Sequence, residues 1–470
     1  MLNYLNNTSR FNWVNEKLLS DRIDAKNYKK EYIEIKKMIM KQNYTMVKDI
    51  IDDINNGYEL SRNYSDTGIN YITISDLNEF EIDYSSIKKV DLKLSDVPQK
   101  GKLSIGDIII SRSGSIGIAK NITNNDVKSI ISYDIMKLKV SDKIDHYYLT
   151  TYLNSDIAQK LIEQLSYGAV MKKIGQEEFL KLLVPIPSPE IQKYIGDKVR
   201  KAEELREEAK KFKNEADNIL NNELEIKNLK EKLNIHTEKY SWTKSQHLSD
   251  RIDGEFYKTE FVLNNEHLKR LNLQGIKIKK LKDIILNGSY GILPSSSDYG
   301  KGEVELLRST NVKEFLIEDS DVIKVPVDYY KDKVRICNGD ILLEIKGQCY
   351  AGAVVENVKN KTIVNGSIFK FSVKEEFNNY YILGYLLSQS GQLQKKQNLA
   401  NSIISYLSID CINKLGIPIL GKEKQNIIGE KYRMYVQNCL KSKELIKEAK
   451  QDIEDLIEGN FYMSKIKETN

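Results

Sequence analysis

The sequence predicts an α+β protein made by tandem duplication, each copy a β-rich domain closed by a long charged helix. Two observations carry that prediction. The first is an ordered series of self-matches at a nearly constant offset, the signature of an internal repeat. Trp13, Ser20-Asp21-Arg22-Ile23-Asp24 and Tyr28 return 229 residues later as Trp242, Ser249-Asp250-Arg251-Ile252-Asp253 and Tyr257. Val47-Lys48-Asp49-Ile50-Ile51 is answered by Leu281-Lys282-Asp283-Ile284-Ile285. At an offset of 233, Gly106-Asp107-Ile108, Gly114, Tyr147-Tyr148 and Tyr152-Leu153 return as Gly339-Asp340-Ile341, Gly347, Tyr380-Tyr381 and Tyr385-Leu386. Pro185, Glu190, Gln192 and Gly196 return at the same offset as Pro418, Glu423, Gln425 and Gly429.

The second observation is a pair of long charged stretches. Residues 189–233 hold eleven acidic and eleven basic residues, with Ile195, Val199, Ala202, Ala209, Phe212, Ala216 and Ile219 spaced three, four or seven apart. So narrow an apolar stripe packs against another helix rather than into a broad core. Glu207/Lys211 and Glu223/Lys227 sit four apart in the favourable order. Residues 422–459 carry Ile428, Tyr432, Tyr435, Cys439, Ser442, Ile446, Ala449, Ile453 and Leu456, spaced four and three in alternation. The two stretches are expected to pair with each other as an antiparallel coiled coil.

Each copy then reads in the same order. A helix (about 25–41, and 256–271) leads into short strands at 71–74, 107–111 and 135–140, or 305–308, 340–345 and 368–373. Gly, Asn, Ser and Asp cluster between them, as surface turns require. A helix follows (about 146–165, and 380–397), then a short proline-containing strand at 183–187 or 416–419, then the long helix. The resulting divisions are an N-terminal helical segment (1–44), a β-rich domain (45–187) and a helical spacer (188–234). They repeat as 235–275, 276–420 and 421–460. The repeated Ser-Asp-Arg-Ile-Asp reads as a helix start with a local Arg–carboxylate pair, or as a docking element.

Composition excludes more than it assigns. A chain of 470 residues is too long for one core, and 30% charged with 40% hydrophobic residues is ordinary for a soluble protein. A net charge of +5 permits nucleic-acid binding without demanding it. Cys337, Cys349, Cys411 and Cys439 form no CxxC pair and read as free thiols rather than zinc ligands. No apolar run approaches 18 residues and the first residues lack a signal-peptide pattern, so a cytoplasmic protein is expected. His146, His236, His247 and His267 are scattered without metal or nucleophile spacing. There is no Gly-x-Gly-x-x-Gly and no phosphate loop. No two of the seven prolines are adjacent, which removes the Pro-Pro-aromatic segment that an adenine amino-methyltransferase needs. Asp340-x-x-x-Glu344-x-Lys346 is similar to the metal-binding half of a PD-(D/E)xK nuclease. It lacks the Pro-Asp partner, and the first copy has Ile110-Ser111-Arg112 in its place. Neither a catalytic nor a metal-ligating residue is assigned.

The layout resembles the specificity subunit of Type I restriction-modification systems over nearly the whole chain. Two phrases carry the resemblance: Gly106-Asp107-Ile108-Ile109-Ile110-Ser111-Arg112-Ser113-Gly114, and Val184-Pro185-Ile186-Pro187-Ser188-Pro189-Glu190-Ile191-Gln192-Lys193. The second copy has drifted to Leu343-Glu344-Ile345-Lys346-Gly347 and Ile417-Pro418-Ile419-Leu420. The resemblance implies a non-catalytic subunit whose two target-recognition domains each read half of a bipartite DNA site, with the long helices setting the spacing. It also implies that the chain binds no cofactor of its own. The partners would be double-stranded DNA, two modification (methyltransferase) subunits that use S-adenosylmethionine, and a restriction subunit that uses ATP and Mg²⁺. A paired-domain scaffold that binds protein or RNA fits the same composition and remains the rival.

Phosphate contact needs Lys, Arg, Ser, Thr or backbone N–H, and base readout needs forked or amide side chains on exposed loops. In the first domain the candidates are Ser61, Arg62, Arg112, Ser113, Tyr167, Lys172 and Lys173. In the second they are Ser295, Ser296, Ser297, Arg308, Lys346, Gln348, Lys395 and Lys396. Any one of them is ordinarily a solvated surface residue, but the two sets fall at corresponding places. The candidate subunit contacts are the stripe residues Ile195, Val199, Ala202, Phe212, Ile428, Tyr432, Tyr435 and Ile446.

Overall fold

The structure, a computed structural model, describes residues 24–60, 64–235, 245, 248, 253–319, 321–358, 360–399 and 405–467. Trp13, Ser20 to Ile23, Ser61, Arg62, His236, Trp242, His247 and Ser249 to Ile252 lie outside the described residues. The chain forms two compact units, Met1–Leu205 with Lys441–Asn470, and Arg206–Leu440. Each unit takes a segment from both long helices.

In the first unit a four-stranded antiparallel sheet runs in the order Ile51–Asn56, Ile135–Val140, Ile108–Ser111, Ala119–Asn121. Its central strand is buried on both faces, which explains the unbroken isoleucine run. Ile108 and Ile110 face a helical layer together with Tyr148, Leu149, Ile195, Val199 and Ile453, while Ile109 faces a second cluster with Ile72, Leu77 and Ile131. That is the period-two alternation of a strand. A smaller sheet orders Ser129–Ile131, Ile69–Ile72, Lys88–Val90 and Tyr64–Ser65.

The second unit repeats the plan. Its main sheet orders Ile285–Tyr290, Ile368–Val373, Ile341–Glu344, Gly352–Val354 and Glu314–Phe315. The smaller sheet orders Ile323–Val325, Val304–Leu307 and Thr362–Val364. Ile341 and Leu343 face the helical core, and Leu342 faces the opposite cluster.

The repeated residues are the locks of this plan. Gly106 and Gly339 both adopt φ +89°, and the next residue, Asp107 or Asp340, turns its carboxylate back to accept the Ser104 or Cys337 amide at 2.8 and 2.9 Å. The buried hydroxyls of Tyr148 and Tyr381 donate to the carbonyls of Pro185 and Pro418 at 2.9 and 2.6 Å. Gln192 Nε2 donates to the Pro187 carbonyl while its Oε1 accepts the Asp145 amide, both at 3.0 Å. Gln425 does the same with Leu420 and Asn378 at 2.8 and 3.2 Å. Asp145 and Asn378 in turn cap the helices His146–Leu153 and Asn379–Leu387. A Cβ at Gly196 or Gly429 would overlap the Oδ1 of that same cap residue. Glu190 and Glu423 lie in the first turn of the long helices, where negative charge suits the helix dipole.

The structure corrects four expectations. The single helices expected after the sheets are each broken in two, His146–Leu153 with Asp156–Leu165, and Asn379–Leu387 with Gln389–Gln397. Ser155 and Ser388 act as fresh N-caps at the breaks, accepting the Ala158 and Gly391 amides. The first long helix stops at Glu223 and a second, Ile226–Ile235, follows. Glu225 takes a left-handed φ of 48° so that Leu224 and Ile226 both enter the core of the second unit. Glu223 therefore pairs with Lys424 at 2.6 Å rather than with Lys227, and Glu207 with Lys210 at 3.3 Å rather than with Lys211. On the second long helix, Lys422–Glu458, the buried stripe runs through Val436 and Ile457, where Tyr435 and Leu456 were expected.

Inside each unit the two helix segments run in opposite directions. In the first, Lys198 binds Asp452 at 2.7 Å and the Ser442 hydroxyl donates to the Ala202 carbonyl at 2.9 Å. In the second, Lys431 binds Glu215 at 2.5 Å and Tyr432 donates to Asp217 at 2.7 Å.

Replacing Gly429 with Ala tests the cap-residue lock, because two effects oppose. Helix propensity alone would stabilise by about 1 kcal/mol. Displacing the Asn378 cap costs about 1 kcal/mol, and overpacking a further 1–3 kcal/mol. A net loss of about 1–3 kcal/mol on chemical denaturation is expected, and a gain would show that the close approach is not restrictive.

Candidate nucleic-acid interface

In the first unit the strand Ile108–Ser111 delivers the chain into a loop that its own serine closes. Ser111 Oγ donates to the Ser115 carbonyl at 2.6 Å and accepts the Ile118 amide at 2.9 Å. Gly114 takes φ +66° at the loop's exposed end, and Gly347 takes φ +90° at the matching place in the second unit. A second loop is clamped beside the first. Tyr167 and Lys173 exchange two backbone bonds of 2.8 Å, Gly114 N–H donates to the Lys172 carbonyl at 3.0 Å, and Ile174 N–H donates to the Arg112 carbonyl at 2.9 Å. Five candidates, Arg112, Ser113, Tyr167, Lys172 and Lys173, are thereby brought into one patch.

Within that patch the side chains differ in availability. Arg112 lies over the ring of Tyr133, its Cζ 4.8 Å from the centroid. Lys173 is exposed, while Lys172 is paired with Glu163 at 2.5 Å. Ser113 is a correction: it is buried and donates to Asp134, so it shapes the loop instead of meeting a ligand.

In the second unit the matching loop holds Lys346 and Gln348, both exposed, with Gly347 N–H bonded to the Ser405 carbonyl at 2.9 Å. Lys396 is exposed and stands 5.3 Å from the Tyr350 ring. Ser295, Ser296 and Ser297 form an exposed turn tied down by Asp298, which accepts the Tyr329 hydroxyl at 2.7 Å. Arg308 holds the Asp321 carbonyl at 3.1 Å. Sequence reasoning missed the exposed tyrosines Tyr133, Tyr350 and Tyr406 beside these cations. In a chain with 28 tyrosines, nothing in the pattern distinguishes them.

The nuclease-like fragment is not assembled for metal. Asp340 accepts from Lys370 at 3.2 Å as well as from the Cys337 amide, and Glu344 Oε2 accepts the Tyr350 and Ala351 amides at 3.1 and 3.2 Å. Both carboxylates are thus engaged by the chain's own N–H and ammonium groups.

Comparison with known proteins supplies the rest. Residues 41–216 match the family model described as the Type I restriction modification DNA specificity domain. Over that segment the chain is similar to the Type I restriction-modification specificity family. It is 24% identical over 426 residues to the MjaX type I restriction enzyme specificity subunit of Methanocaldococcus jannaschii, itself a provisional assignment, covering 87% of this chain and 91% of that one. It is 26% identical over 154 residues to the EcoBI specificity subunit of Escherichia coli, covering 33% of this chain and 32% of that protein's length. A solved Type I restriction-modification S subunit from M. genitalium aligns over 90% of this chain and 96% of its own, with 12% identity and a TM-score of 0.45.

The helix stripes are less available for subunit contact than expected. Ile195, Val199 and Ala202 are buried in the first unit, and Ile428 and Tyr432 in the second. Phe212 is half-buried beside Lys431, Tyr435 packs on Phe315 and Ile446 packs on the first unit's core. The chain's own helices consume the stripe, which is narrow, and leave the charged faces outward.

Lys395 is the other correction. It is 1% exposed and its Nζ has no hydrogen-bond partner. Burial pushes its ammonium down to about 7, offset in part by Cys349 and Glu344. The residue 233 positions earlier is Ile162, also buried, so the plan itself does not require a cation here.

The sign of the pH dependence follows from linkage. A lysine held near 7 when folded and near 10.5 when unfolded destabilises fully below pH 7, and the penalty fades as pH rises toward 10.5. Lys395→Met is expected to raise Tm, and to raise it more at pH 6.5 than at pH 9.5. Equal shifts at both pH values would show that the buried charge is not the cause.

Proposed function

We propose that the chain is the DNA-recognition subunit of a Type I restriction-modification complex, and that each unit reads one half of a bipartite duplex site. The observation that carries this reading is one scaffold used twice with different loops. Gly106/Gly339, Gln192/Gln425 and Gly196/Gly429 hold the same geometry, while the bridged pair Ser113 and Lys173 in one patch is answered by Lys346 and Tyr406 in the other. Two equal frames with unequal readout loops suit a two-part, asymmetric sequence.

The recognition domains are anchored firmly to the helix segments of their own units. In the first, Glu203 accepts both Lys120 at 2.8 Å and the Tyr147 hydroxyl at 2.7 Å. In the second, Lys213 binds Glu314 at 3.1 Å and Phe315 stacks on Tyr432 at 4.4 Å. Such anchoring supports a spacer role for the helices, paired antiparallel along their length. At about 1.5 Å per residue the 35-residue first helix spans roughly 52 Å, enough to separate half-sites one DNA turn apart, about 34–36 Å.

In this reading the subunit performs no chemistry. Modification subunits, two of them, supply methyl transfer from S-adenosylmethionine, and a restriction subunit supplies ATP- and Mg²⁺-dependent cleavage. The complex works in the cytoplasm, where its duplex substrate lies. Exposed charged faces of the helices, with partners such as Glu204 and Lys201, suit docking of those subunits.

Exchanging residues 45–187 for those of another specificity subunit should change one half of the methylated sequence and leave the other, read by sequencing methylated DNA. A change in both halves would refute independent readers. Phosphate contact by single lysines is testable separately. Lys173→Ala and Lys346→Ala should each lower the slope of log K against log salt by ~0.9, one counterion contact apiece. An unchanged slope would remove that lysine from the interface.

A further inference from the structure

The loop clamped beside Arg112 ends in a tip that is apolar and outward. Val170 is 103% exposed, Met171 57% and Tyr167 48%. The tip is held in this posture. Gly168 takes φ +98° and packs so closely on the Met171 carbonyl that a Cβ there would overlap it. Below it, Tyr167 and Lys173 bridge, and Lys172 and Ile174 are bonded to the Arg112–Gly114 loop. The aliphatic pair is therefore fixed away from the core by backbone bonds.

The second copy keeps the feature in sequence. Val170-Met171 is answered, at the same offset of 233, by Ile403-Ile404. The neighbours have changed: Gly168-Ala169 becomes Asn401-Ser402, and Lys172-Lys173 becomes Ser405-Tyr406. Two large aliphatic residues persist where the residues around them do not.

We infer that Val170 and Met171 form a wedge that enters the stack between two base pairs of the half-site bound by the first unit. The inference rests on the DNA-recognition reading. Charge favours DNA over a protein partner, since the tip is flanked by exposed Lys173 and by Arg112 on the face of Tyr133. An aliphatic wedge gains by leaving water and spends that gain on unstacking one step. The balance is favourable at pliable pyrimidine–purine steps and unfavourable at stiff ones, so the wedge selects sequence at a position it does not hydrogen-bond.

The test uses the chain assembled with its modification subunits and a duplex carrying the sequence read from methylated host DNA, with 2-aminopurine placed in turn at each step of the half-site. Binding should raise the fluorescence several-fold at one step. Val170→Ser/Met171→Ser should abolish that rise and weaken binding about tenfold with the salt slope unchanged, whereas Val170→Leu/Met171→Leu should keep the rise. Lys173→Ala should keep the rise and lower the slope. Tight, specific binding with no rise at any step overturns the wedge and leaves the recognition reading intact. Loss of modification-subunit assembly in the serine variant overturns it in favour of a protein contact. Absence of duplex binding by the parent complex overturns both.

Discussion

The glutamine side chain at the foot of each long helix ties the proline strand and that helix to a helix start 47 residues earlier in the sequence. Gln192 and Gln425 are buried, and each amide bridges the end of the proline strand to the capped start of the helix that follows the sheet. A buried amide left without partners costs about 1–3 kcal/mol, so the three elements hold one another in register. The glycine one turn later lets the cap residue press against the long helix. Orientation of the recognition loops relative to the helix within each unit descends from this junction.

Much of this was legible because the duplication marks it. Among the described residues, Gly106/Gly339, Asp107/Asp340, Tyr148/Tyr381 and Gln192/Gln425, shared by the copies, form turns or buried hydrogen bonds, each with a geometric reason for its identity. Strand positions 108–111 and 341–344 were readable from apolar runs bounded by Gly-Asp. The helix breaks were less so, since Ser155 and Ser388 sit inside otherwise continuous helical patterns and act only through their caps. Glu225 carries no signal of its left-handed backbone; tertiary burial of Leu224 and Ile226 imposes it. Choosing Tyr435 over Val436 followed a strict heptad, whereas the helix meets a sheet residue, Phe315, that no heptad encodes.

The candidate interface was legible in part for the same reason. Arg112, Tyr167, Lys172 and Lys173 became candidates because residue types suited to DNA contact recur in corresponding places of both copies. Lys395 misled because a lysine at the end of a polar helix reads as exposed, whereas tertiary neighbours such as Cys349 and Glu344 lie beside it in a buried site. Ser113 misled because its partner, Asp134, arrives from another strand connection.

Sharing the long helices between units bears on how the protein is made. The first unit takes its final core residues, Ala449, Ile453 and Ile457, from a segment that leaves the ribosome long after Leu205. At ~5–20 residues per second the delay is about 12–50 s. During that interval Ile195 and Val199 lack their partners, while the contiguous chain of the second unit emerges and folds. The first unit is thus the last to be completed, and a message cut short within the last helix leaves it unfinished.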